Sequence, residues 1–284
     1  MNKTVSRLAL VSAATLMIGS PALAGHRWST YHWIKGSAEL AVPVGDNVST
    51  KWDAYLASAV YGGLDSYGKP GEGWNSSPKI EAVIEAGQTN PKNCRAVAGR
   101  IEVCSASYGR NGWLGLASIW LSNGHISQGT TKVNDSYFDT ASYNKPEWRR
   151  MVTCQEIGHN YGLGHVNEVF NDPNTGSCMD YTNNPLGPPT NEYINQHDKD
   201  ELDTIYNHAE LASTNFAVRS VGQAATPQAS ASASESGNGP ADWGRAIGYD
   251  GAGRPDMFEL NLGGGRKKIT HVFWAIGEGP GASH

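Results

Sequence analysis

Basic residues are in short supply. The 22 lysines and arginines stand against 27 aspartates and glutamates, a net charge of −5 over 284 residues. That balance gives no footing for binding nucleic acid through a basic face. Apolar runs are short too: Leu8 to Ile18 cannot span a bilayer, and no later run qualifies. The four cysteines form no CxxC pair and have no thiol-protease surroundings, which sets aside a thiolate nucleophile and a CxxC metal or redox site.

What is present at the start reads as an export signal. Lys3 and Arg7 precede the Leu8 to Ile18 run, and Ala22-Leu23-Ala24 offers a small-x-small site with cleavage after Ala24. The mature protein is therefore expected to be exported and not inserted in a membrane, and loss of Lys3 and Arg7 takes the charge from −5 to −7. An exported chain with an even cysteine count favours disulfides. Three pairings are open, and position suggests Cys94 with Cys104 across a hairpin and Cys154 with Cys178.

The segment from Gln155 to His165 fits HExxHxxGxxH at every fixed position but the first, where glutamine replaces histidine. On a helix, residues 155 and 159 share one face and can reach one metal, with Glu156 beside them toward a bound water. Gly162 permits a positive φ and a sharp turn that returns His165 to the same metal. Pro146 suits a first helical turn after Asn144 and Lys145, and Trp148, Val152 and Ile157 give the helix an apolar side, so a helix running to about Gly162 is predicted.

These residues resemble the metzincins, zinc endopeptidases whose motif is followed by a methionine turn beneath the metal, here Ser177-Cys178-Met179-Asp180-Tyr181. The resemblance implies one catalytic Zn2+ on Gln155, His159 and His165, with Glu156 as general base and Met179 as a non-coordinating floor. It also implies that Tyr181 touches the metal or the oxyanion. A Cys154–Cys178 bond would tie the site helix to the methionine turn. An amide oxygen is a weaker zinc donor than imidazole, so reduced affinity is expected at position 155.

The implied fold is α+β: a mixed twisted sheet with a long N-terminal helix, a site helix, the methionine turn and a C-terminal helix, followed by a small β-rich appendage. Strands are expected over Glu39–Val44, Lys79–Ile84, Ala98–Cys104, Leu114–Leu121 and His125–Val133. A helix capped by Ser49 should carry Trp52, Tyr55, Leu56, Ala59 and Val60. The first strand would begin about fifteen residues after Ala24, leaving little room for a pro-segment. The strand edge near Ser122–Ser127, at the cleft rim, could take an extended peptide by backbone hydrogen bonds. The last helix, Gln196–Tyr206, should pack Leu202, Ile205 and Tyr206 inward and leave Asp198, Asp200, Glu201 and Asp203 solvated.

The chain thus divides into a signal (1–24), a catalytic domain (25–210), an Ala/Ser/Gly-rich flexible linker (211–240) and the appendage (241–284), with strands at 243–249, 257–262 and 268–274. The expected function is a secreted zinc metalloendopeptidase acting on extracellular proteins or peptides. The alternative is a non-catalytic protein on the same scaffold, binding a peptide or a polysaccharide.

Overall fold

The computed structural model describes residues 25–36, 39–208 and 237–281. The expected signal peptide and residues 211–236 of the expected linker lie outside them. Among the described residues the first strands are β1 (His32–Trp33), β2 (Leu40–Ala41) and β3 (Val44–Asn47), followed by helix α1 (Asp53–Tyr61). Four short strands follow: β4 (Gly63–Leu64), β5 (Pro70–Gly71), β6 (Ile80–Glu81) and β7 (Ile84–Ala86). The longer strands are β8 (Ile101–Ala106), β9 (Trp113–Ser122) and β10 (His125–Asn134), and then come helices α2 (Asp135–Phe138), α3 (Pro146–Asn160) and α4 (Gln196–Tyr206). The C-terminal part holds α5 (Pro240–Trp243), β11 (Arg245–Tyr249), β12 (Pro255–Gly263) and β13 (Arg266–Trp274).

One mixed sheet organises the molecule, in the order β11-β12-β13-β9-β10-β8-β3-β7, with β1 also paired to β10. Strands β3, β7, β8 and β10 run parallel, and β9 pairs antiparallel to β10. Strand β9 is buried over nine of its ten residues, because α3 packs on one side of the sheet and α5 closes the other; a doubly covered strand needs a continuous apolar run. The larger core includes Leu114, Ile119, Ile157, Ile269 and Phe273, and a second cluster holds Trp113, Leu116, Trp243, Phe258, Val272 and Trp274.

Several local expectations change. The 39–44 segment splits into β2 and β3 about Pro43, which has no N–H to give a ladder. The 79–84 segment divides in step into β6 and β7, their respective partners. Helix α1 has only nine residues, and no side chain caps it: Ser49 instead makes a turn through its carbonyl, which accepts from the Trp52 amide at 2.7 Å. In α4 the boundaries are as predicted, yet Asp198 and Glu201 are buried. Asp198 closes a capping box with Asn195 and accepts from Ser177 Oγ at 2.8 Å, while Glu201 accepts from the His26 amide at 3.3 Å. The helix is therefore pinned on a face that charge alone suggested was wet.

The largest departure concerns the C-terminal strands. They join the main sheet: β13 pairs antiparallel with β9 from Arg266↔Ser122 to Trp274↔Trp113. The β9 edge is therefore taken, and no extended peptide can add there. Both disulfides, Cys94–Cys104 and Cys154–Cys178, are formed. The first ties Cys94, on the connection between the parallel strands β7 and β8, to Cys104 within β8, and that connection is not a hairpin. No described helix is long and apolar enough to cross a membrane.

Candidate metal centre

Helix α3 starts at Pro146, runs under β9 and β10, and ends just before Gly162, whose φ is +90°. A Cβ at 162 would collide with the Tyr31 carbonyl, so glycine serves both the turn and the close approach. The turn returns the chain so that Gly164 N donates to the His26 carbonyl and Val166 N to that of Met179. This pairing sets His165 beside His159 and carries the 177–181 turn beneath α3. Gly158 admits Met179 Sδ and the Trp74 ring, which a Cβ there would strike. The Cys154–Cys178 bond fastens the same turn to the helix.

His159 and His165 face each other, Nε2 to Nε2, at 3.1 Å. His159 Nδ1 lies 2.8 Å from the Leu163 carbonyl and His165 Nδ1 lies 3.1 Å from Glu168 Oε1. Each ring is thus held from behind, the orientation a metal-bound imidazole requires. A third imidazole, His271 of β13, joins them: one ring nitrogen from each of the three lies within 4.8 Å of the others. His271 Nδ1 is 3.3 Å from Glu156 Oε2, and its Nε2 is 2.8 Å from Tyr181 Oη. Tyr181 in turn donates to Asp256 Oδ2 at 2.9 Å.

Gln155 is fully buried, and its Nε2 donates to the Cys178 carbonyl at 2.8 Å. Its Oε1 has no hydrogen-bond partner among the described residues. Glu156 sits between strands, Oε2 toward His271 and Oε1 against Gly115 of β9, where a Cβ would come within 2.7 Å.

Electrostatics suit a cation. Burial, then His271 and His165, push His159 well below its usual range; burial also lowers His165 and takes His271 down to about 3. All three are neutral imidazoles near neutral pH, the form that donates to a metal. Burial lifts the Glu156 carboxyl well above the usual range and raises Asp256 to about 6.

The cluster opens on one side into a hollow of about 380 Å³. Its walls include Arg27, Trp28, Tyr31, Glu168, Ile247 and Met257, with His159, His165 and His271 at the base. Tetrahedral zinc with Zn–N bonds of about 2.0–2.1 Å sets its donors roughly 3.3 Å apart. The 3.1 Å between His159 and His165 matches that spacing, so the residues fit a metal ion of this kind.

Of the residues singled out from sequence, Glu156, His159, His165, Met179 and Tyr181 converge here, with Gln155 one helical turn behind His159. His271 and Asp256 were missed. The signal for His271 was a histidine between Ile269 and Phe273 on the alternate positions of one strand face, where an imidazole buried in core needs partners. No protein-family model matches the chain, and no curated protein sequence matches it.

Proposed function

We propose that the protein is an exported zinc-dependent peptide hydrolase, related in architecture to the metzincins. The observation that carries this reading is the placement of His159 and His165, beside His271, at the base of a hollow open to solvent, with Glu156 buried behind His271 at 3.3 Å; a metal held there would be reachable from the hollow. Bound zinc would supply Lewis-acid polarisation of the scissile carbonyl and acidify a water. His159 and His165 would hold the ion. Glu156, the buried carboxyl closest to the cluster on α3, would accept a proton from an attacking water and return it to the leaving amine. The Tyr181 hydroxyl, which donates to Asp256, would have to turn from it to steady an oxyanion, and Trp28, Tyr31, Ile247 and Met257 would receive an apolar side chain of the substrate. Because β13 holds the β9 edge, the peptide enters through the hollow. The two disulfides and the export signal agree with work outside the cell.

A second reading, a non-catalytic metal-stabilised protein, draws on that same closed edge and on the 3.3 Å contact that turns Glu156 toward His271. Glu156→Gln separates them. The hydrolase should lose turnover by at least about 100-fold, in the range general acid–base catalysis contributes, and keep its zinc. Wild-type protein fully loaded with zinc that cleaves no member of a peptide library would favour the second reading.

A further inference from the structure

We propose that His271, delivered by β13 and 106 residues beyond His165 at the end of the motif, is the third protein ligand of the metal, and that Gln155 is not a ligand. The inference rests on the metal-centre reading above but not on catalysis. Three observations carry it. First, one nitrogen from each of His159, His165 and His271 lies within 4.8 Å of the others, with ring centroids 4.0 Å apart for His159 and His271 and 4.6 Å apart for His165 and His271. Second, the three rings share one pattern: each Nδ1 has an acceptor behind it, the Leu163 carbonyl, Glu168 or Glu156. With its Nε2 on the metal in exchange for its 2.8 Å contact with Tyr181 Oη, His271 would donate its Nδ1–H to Glu156, completing a carboxylate–histidine–metal arrangement.

Third, the local structure is shaped to bring His271 in. It pairs across from Ala117, and the neighbouring position on β9 that meets Glu156 is Gly115. Small residues there leave room for an imidazole and a carboxyl between sheet and helix. The Gln155 amide is meanwhile engaged with the Cys178 carbonyl, bracing the 177–181 turn. Imidazole outranks an amide oxygen as a zinc donor. The Gln155 Oε1 atom, buried and without a hydrogen bond among the described residues, is the competing donor that an experiment must separate.

The test is zinc stoichiometry and competition against a chromophoric chelator on the full-length exported protein, stripped and reloaded. Gln155→Met removes the amide oxygen at similar volume and should leave zinc affinity unchanged. His271→Ala should weaken it by at least about 100-fold, the upper end of what even an outer-shell change costs, and His159→Ala should do the same. Cobalt substitution reads the ligand set independently: the visible spectrum should change in His271→Ala and not in Gln155→Met. Should His271→Ala fail to fold, Gln155→Met alone decides, because zinc loss there to the level of His159→Ala overturns the proposal. Wild-type affinity in His271→Ala overturns it as well and leaves His271 a buried hydrogen-bonded residue. If wild type itself binds no zinc, the metal-centre reading falls along with it.

Discussion

Burial lowers the proton affinity of several bases among the described residues, with different consequences. The three imidazoles lose the proton that would repel a cation. Lys132, on β10, sits in a dry layer with Lys268 nearby and gives its Nζ to Asn238 Oδ1 at 2.9 Å. Burial first, and then the Lys268 charge, push its ammonium from 10.5 down to about 7. Between about 7 and 10.5 the unfolded chain carries a proton there that the folded chain has released, so this residue's destabilising effect fades as pH rises through that window. Wild type should therefore gain stability relative to Lys132→Met as pH climbs from about 7 toward 10.5, as read by paired chemical denaturation curves; a constant difference would contradict the assignment. At this scale the sequence was readable where chemistry is local. The i, i+4 spacing, Gly162 and the methionine turn needed only neighbours within a few residues. His271 and Asp256 take their meaning from pairing across a sheet, which residue spacing does not encode, and Asp198 and Glu201 became buried through His26 and Ser177, far away in sequence.

Strand β13 is the element on which the site depends. Ile269 and Phe273 pack into the core under α3, while Val272 and Trp274 pack into the cluster around Trp243 on the other face. Four such side chains at about 1.5–3 kcal/mol each are worth roughly 6–12 kcal/mol, on the scale of a whole domain's stability of about 5–15 kcal/mol. A chain ending at residue 208 should therefore lose cooperative thermal unfolding and bind a hydrophobic dye. Full-length protein cut at an engineered protease site within 209–236 should elute as one species and keep its Tm. A truncated chain with a sharp native transition would instead make the C-terminal strands an independent module. Helices α3 and α4 were legible because caps, proline and 3.6-residue periodicity are written in consecutive residues. The three C-terminal strands were legible as strands by their alternation, but their partner was not, since register against β9 is set by long-range packing.

On the scale of the molecule, the centre is assembled from two distant stretches, 155–181 and 256–271, brought together by one continuous sheet. Its outer wall has the same double origin. Arg254 lies over the Phe170 ring at 5.0 Å, Phe170 stacks on Tyr181 at 4.8 Å, and the Gly251 amide donates to the Glu168 carbonyl at 3.0 Å. With His271 as the proposed third ligand, the glutamine at the first motif position would leave no gap in the ligand set, because the imidazole would arrive on a strand that also pairs with the β9 edge. On that proposal metal binding would be coupled to docking of the C-terminal strands, and a peptide substrate would enter at the hollow beside Trp28 and Tyr31. The most direct measurement is anomalous diffraction at the zinc absorption edge from crystals of the zinc-loaded protein. One strong peak bonded to His159, His165 and His271 is expected, with the Gln155 amide turned to the Cys178 carbonyl; a peak bonded to Gln155 with His271 outside bonding distance, or no peak at the cluster, would rule out His271 as the third ligand.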